Sequence, residues 1–239
     1  MKTLMTLESA QGLSTAIAYD LTTSVNELVL ANKVDCYIVS TEDGFSPLGV
    51  AKGFIAKELG IDVADIGRLA DWNRFENNEV SLVGLKSKTP TSSLRGVILA
   101  ASETSQCYEQ FAPAFHSKPY RDFYYNVAYE SIAYAVHTLG ARKLAMSHLS
   151  GSGHFHEDIA TCVVEALAHF CAQVDNPPIE SFLFVGCCIN ESHFSGIQRL
   201  DLQRITAKHR DIVLSYSLKD GFDVVSLRWL NFTTHTIEK

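Results

Sequence analysis

Short apolar runs rich in β-branched and aromatic residues alternate along this chain with longer stretches of helical period. That alternation constrains the fold more than any single motif. A strand–helix–strand rhythm carries the chain back to begin its next strand in the same direction, which builds a parallel or mixed sheet with helices on both faces. The runs predict strands at Thr15–Tyr19, Cys36–Ser40, Val80–Leu85, Gly96–Ala101, Lys143–His148 and Ser181–Cys187. Helices are expected near Val50–Leu59, Tyr120–Leu139 and Asp158–Val174. Gly60 and Gly140 end the first two, since glycine accepts the left-handed backbone of a C′ position. The expected fold class is therefore α/β: a three-layer α/β/α arrangement around a mixed, largely parallel central sheet.

The length of 239 residues and a 46% hydrophobic fraction suit one α/β domain able to bury its own core. Residues 1–190 are expected to carry the main body and residues 191–239 to extend the same domain. Within that extension Ser195–Arg210 reads as a mostly polar helix, followed by the strand-like runs DIVLSY and DVVSLRWL. These form either an added edge of the sheet or a small lobe. Asp220-Gly221 between them is a hairpin signal, in a loop longer than the tightest type.

A formal charge of −7 with dispersed Lys and Arg lacks the electrostatic footprint of a duplex nucleic-acid binder. The N-terminal MKTLMTLESAQGLS has no sustained apolar run of the signal-peptide kind, and no window approaches the roughly 18 apolar residues of a membrane span. A cytoplasmic protein without membrane partners is the expectation. The six cysteines, Cys36, Cys107, Cys162, Cys171, Cys187 and Cys188, show no CxxC spacing. They read as reduced, buried small hydrophobes.

The segment from Leu144 to Phe170, LAMSHLSGSGHFHEDIATCVVEALAHF, is a buried strand, a glycine-rich loop and the start of a helix. Such a loop turns backbone N–H groups toward one point at the positive end of a helix dipole, which favours an anion or phosphate. Val163, Leu167, Phe170 and Val174 recur at helical spacing and mark the core face of that helix. Glu157 and Asp158 fall where carboxylates meet the dipole, so a capped connection with no ligand is the plainer alternative. A second segment, Val34–Gly60, repeats the order of strand, polar glycine-containing loop and helix. Two such loops at one sheet edge would enclose a crevice of the kind where ligands bind in open α/β sheets.

Four pieces in order resemble the macrodomain, the ADP-ribose-binding module, or its structural relative at the N-terminus of leucine aminopeptidases. AYDLTT around Asp20 resembles the family's Gly-Asp-Ile-Thr segment, and VDCYIVS its following strand. LGVAKGFIAKELG resembles the Gly-Val-Ala and helix of its first phosphate loop, and SGHF at Ser152–Phe155 the Thr-Gly-Ile-Tyr of its second. The resemblance spans roughly Ser14 to Gly186. It implies a nucleotide-like small-molecule ligand, ADP-ribose or a derivative, and no further cofactor. Asp20 would accept from the adenine amino group. Gly49, Val50 and Ala51 would offer backbone donors to one phosphate, Ser152, Gly153 and His154 to the other, and Phe155 would flank the distal ribose. Asp20 as a turn cap and Phe155 as core are the structural alternatives.

The family's Asn-Ala-Ala-Asn segment is replaced here by Ser40, Thr41, Glu42 and Asp43, so the asparagine that contacts the distal ribose in hydrolytic members is missing. The glycine run before Gly-Val-Ala is reduced to Pro47, Leu48 and Gly49, and Glu42 and Asp43 bring negative charge toward a dianionic ligand. Binding without hydrolysis is therefore the leading expectation. A structural or regulatory domain that has lost the ligand is the alternative. A third reading, metal-assisted hydrolysis, rests on His148, His154 and His156 beside Glu157 and Asp158, whose spacing fits no strong zinc signature. The helix YRDFYYNVAYESIAYAVHTLG places Phe123, Val127, Ser131, Ala135 and Leu139 at packing intervals, which favours core or a homo-oligomer contact over base stacking.

Overall fold

The computed structural model describes residues 1–9, 11–41, 57–60, 80–87, 93–101, 118–147, 156–173, 175–186, 191–197, 200, 212–219 and 222–229. Among the described residues nine strands make one sheet: β1 (Lys2–Glu8), β2 (Ser14–Asp20), β3 (Cys36–Thr41), β4 (Val80–Lys86), β5 (Gly96–Ala101), β6 (Lys143–Ser147), β7 (Ser181–Val185), β8 (Ile212–Lys219) and β9 (Phe222–Trp229). The order across the sheet is β1-β2-β7-β6-β3-β5-β4-β9-β8. The five central strands, β2, β7, β6, β3 and β5, pair in parallel, and β1, β4, β9 and β8 join antiparallel at the flanks.

Alternation along the central strands separates two cores, because successive strand residues point to opposite faces. Ile17 and Tyr19, Cys36 and Ile38, Ile98 and Ala100, Leu144 and Met146, and Phe182 and Phe184 all enter one cluster. Their neighbours Ala18, Tyr37, Val39, Val97, Leu99, Ala145, Leu183 and Val185 enter the other. A sheet buried on both faces is what parallel strands require. The first core is capped by α2 (Lys118–Ala133) and α3 (His156–Ala172), the second by α1 (Val25–Leu30) through Leu28 and Val29. The α/β/α layering expected from the sequence is the layering found.

All six expected strands are present, with ends shifted by at most two residues. α2 continues into a π-helical turn, Tyr134–Thr138, and Gly140 follows at φ +67° where Leu139 N–H reaches back to the Tyr134 carbonyl at 3.2 Å. Gly60 has φ +62° after helical residues 57–59; the rest of the helix expected from Val50 lies outside the described residues. On α3, Val163, Leu167 and Phe170 are buried as their spacing predicts, and α2 with its π-helical turn buries Val127, Ser131 and Ala135. Cys36, Cys162 and Cys171 are free and buried; Cys107, Cys187 and Cys188 lie outside the described residues.

Among the described residues, the edge strand β1, the short helix α1 and a 3₁₀ turn at Glu191–Phe194 are additional to the sequence reading. The C-terminal runs are also tighter than expected. β8 and β9 pair with Lys219 opposite Phe222, leaving only residues 220–221 between them, and β9 adds to β4 at the sheet edge. The longer loop expected there is corrected by strands that each reach past the apolar run. The polar helix expected over 195–210 is described only at its start, where Ser195 N–H bonds to the Ser192 carbonyl at 3.2 Å.

Candidate functional site

The sheet order locates one distinctive edge. β3 and β6 are neighbours and parallel, with Ile38 opposite Met146. From β6 the chain passes through α3 to β7, on the side away from β3, whereas from β3 it goes on to β4 and β5 on the other side. Crossovers that diverge from two adjacent parallel strands define a topological switch point, the position where open α/β sheets bind ligands beyond the strands' carboxyl ends. The two glycine-containing segments begin at residues 42 and 148, directly after these two strands in sequence, and lie outside the described residues. Residues 148–155 join β6 to α3, which starts at His156, so a helix of 17 residues presents its positive end toward this edge.

Gly49, Val50, Ala51, Ser152, Gly153, His154 and Phe155 lie outside the described residues, as do His148 and the side chain of His156. Asp20 is described in detail. It ends β2, opposite Val185 of β7, which in turn lies opposite Ser147 of β6. Its carboxylate is buried and engaged at both oxygens. Oδ1 accepts from the Thr22 amide at 3.1 Å, the Thr22 hydroxyl at 3.2 Å and the Thr23 amide at 2.9 Å. Oδ2 accepts from the Thr23 hydroxyl at 3.0 Å and lies 3.3 Å from the Met1 ammonium. Burial alone would raise its pKa. The donors from Thr23, Thr22 and Met1 outweigh that and hold the carboxyl well below the ordinary range. The geometry is that of a turn cap, the structural alternative for this residue.

Beside Asp20 stands a group with no signal in the sequence. Tyr19 donates its hydroxyl to Glu191 Oε1 at 2.6 Å, and Lys2 reaches the same oxygen at 3.1 Å while its ammonium sits 5.8 Å from the Tyr19 ring centre. Glu191 opens a 3₁₀ turn, Glu191–Phe194, that follows β7, and Phe194 stacks on Tyr19 with ring centres 5.0 Å apart. Phe194 also tilts against Phe184 at 5.1 Å. The Tyr19 and Lys2 donors draw the Glu191 pKa down, while burial and the Glu191 contact push Tyr19 up. Residues distant in sequence thus lock the 191–194 turn against the end of β2. Among the described residues, no three His, Cys, Asp or Glu side chains come together as a metal site, and no helix is long and apolar enough to cross a membrane.

An open, doubly wound three-layer α/β/α fold with a topological switch point is thus the class that these elements define. More particularly, it is a divergent macrodomain-like fold. The chain is similar to a point mutant of the Oceanobacillus iheyensis macrodomain at a TM-score of 0.55 and 12% identity, over 83% of this chain and 95% of that one. A second mutant of that macrodomain gives 0.54 at 12% identity over 83% and 92%. The same macrodomain with ADP gives 0.52 at 12% identity over 83% and 95%. No protein-family model matches the sequence, and no curated protein does either.

Proposed function

We propose that this chain binds an ADP-ribose-like or other phosphate-containing nucleotide at the carboxyl ends of β3 and β6, without hydrolysing it. The observation that carries the reading is the switch point itself, with the two glycine-containing segments starting from adjacent strands and the N-terminus of α3 at the same edge. Backbone N–H groups of Gly49, Val50, Ala51, Ser152, Gly153 and His154 are the proposed phosphate donors, and Phe155 the proposed neighbour of the distal ribose. The ADP held by one of the similar macrodomains has the ligand chemistry this reading asks for. Hydrolysis is left out because Ser40, Thr41, Glu42 and Asp43 replace the segment with the ribose-contacting asparagine. The partner is a small molecule, since a net charge of −7 disfavours a nucleic-acid polyanion.

Thermal melting with and without ADP-ribose tests this. Ligand at a hundred times its Kd adds about 2.7 kcal/mol of stability, a readable rise in Tm, and Gly153→Glu is expected to abolish the rise while leaving the ligand-free Tm near wild type. No shift at millimolar ADP-ribose favours the second reading, a structural or regulatory domain that keeps the fold without the ligand. One observation speaks for that reading: both carboxylate oxygens of Asp20 are already engaged within the chain.

A further inference from the structure

Among the described residues β1 closes one end of the sheet and β8 the other, and the two edges are built differently. β1 breaks register with β2 between Thr3 and Met5 and carries Lys2 and Glu8 at its ends, the bulge and charges that keep an edge strand from pairing further. β8 has neither device. Its eight residues, IVLSYSLK, run against β9 from Ile212 opposite Trp229 to Lys219 opposite Phe222 without a shift, hold no proline and bear no charge before Lys219. A long, regular, uncharged edge is a template for one more strand. On the helical side, α2 is buried within the chain at every residue from Tyr124 to Ile132, so that stretch offers no open face to a second copy.

We propose that a second copy of this chain lays its own β8 antiparallel along this one, about a two-fold axis at Ser215, so that two sheets become one. An axis perpendicular to the sheet keeps each face on its own side, and residues of the same face must therefore meet. Centred on Ser215, the pairing sets Ile212 opposite Leu218 of the second copy, Leu214 opposite Tyr216, Val213 opposite Ser217 and Ser215 opposite its counterpart. Apolar positions meet apolar ones along one face. That face is the one the first core uses, because Tyr216 lies opposite Val225, which lies opposite Leu82. Charge selects the register. Asp211 precedes Ile212 in sequence, so one step further the same pairing gives Lys219 an acidic neighbour in Asp211 of the second copy, twice by symmetry. An axis at Tyr216 would set Lys219 opposite Val213 and lose both pairs.

Sedimentation equilibrium of the full chain, from micromolar to millimolar and at low salt, should show a monomer passing to a dimer. Lys219→Asp and Asp211→Lys each set like charges opposite one another at two places and should raise the dissociation constant about tenfold. The double change Lys219→Asp/Asp211→Lys restores opposite charges and should return it close to wild type. Hydrogen exchange on the wild-type chain gives a readout that needs no variant: amides of β8 should slow as concentration rises, while those of β1 keep their rates. A chain that stays monomeric at millimolar concentration overturns the proposal. So does a dimer that ignores both single changes, or β8 exchange that is the same at every concentration, as an edge already covered within one chain would give.

Discussion

Thr23 holds Asp20 at both carboxylate oxygens, its amide reaching Oδ1 at 2.9 Å and its hydroxyl Oδ2 at 3.0 Å. Asp20→Ala leaves these part-buried donors without their acceptor and should cost about 2 kcal/mol at pH 7. The folded pKa is depressed, so the stabilisation is full above the unfolded value near 3.8 and is lost as pH falls through the folded value. Denaturant midpoints of wild type and variant should therefore converge in strong acid. A constant gap at all pH values would refute the assignment of charge-assisted capping.

Asp35 sits at the opposite end of the sheet, accepting from the Arg142 amide at 3.0 Å and the Lys143 amide at 2.9 Å. Burial pushes its pKa above the ordinary carboxylate value, outweighing those amides and the charges of Arg95 and Lys143. A carboxyl raised in this way binds its proton more tightly in the folded state, so the stability it contributes grows as pH falls through the folded pKa. The neutral isostere Asp35→Asn should then stay within about 1 kcal/mol of wild type at pH 7, while Asp35→Ala loses about 2 kcal/mol. Chemical denaturation checks this, and equal losses would contradict it.

α1 begins with a reciprocal cap. The Glu27 amide donates to Ser24 Oγ at 3.3 Å, and the Ser24 amide donates to Glu27 Oε2 at 2.9 Å. A six-residue helix has little propagation to stabilise it, so Ser24→Ala should cost about 1 kcal/mol and raise hydrogen exchange first in Val25–Leu30. Ser24→Asp, which keeps an acceptor, should recover most of the loss.

Gly84 on β4 lies against the Tyr134 ring, and a Cβ there would collide with ring carbons and the hydroxyl. Gly84→Ala should destabilise by about 1–3 kcal/mol through overpacking. Trimming the ring in Gly84→Ala/Tyr134→Ala should remove most of the added cost of the alanine. Strict additivity of the two changes would mean that the close approach is unimportant.

The strands were legible because each central one alternates between two apolar cores, a pattern that a single sequence displays. β1 escaped because it is an edge strand in which only Leu7 is buried, so it carries no apolar alternation. α1 escaped because of its brevity, although Ser24 and Glu27 have the spacing of a capping box. Strand order was not legible at all: nothing local in Asp20 announces Val185 as its neighbour. At the candidate site, glycine spacing marks two segments, but only topology shows that they start from adjacent strands. The Asp20-x-Thr-Thr run carried its own turn-capping signal, whereas Tyr19 and Glu191 meet across most of the chain and left none.

The hairpin of β8 and β9 has one further consequence. Its two strands are two residues apart in sequence, yet among the described residues it reaches the rest of the sheet only by laying β9 along β4. The parallel centre depends on long crossovers and must close as a unit, while this pair can assemble by itself and attach afterwards. It is therefore the part of the sheet able to detach as a cooperative piece, and amide exchange should reach β8 and β9 well before β3, β6 and β7 begin to open.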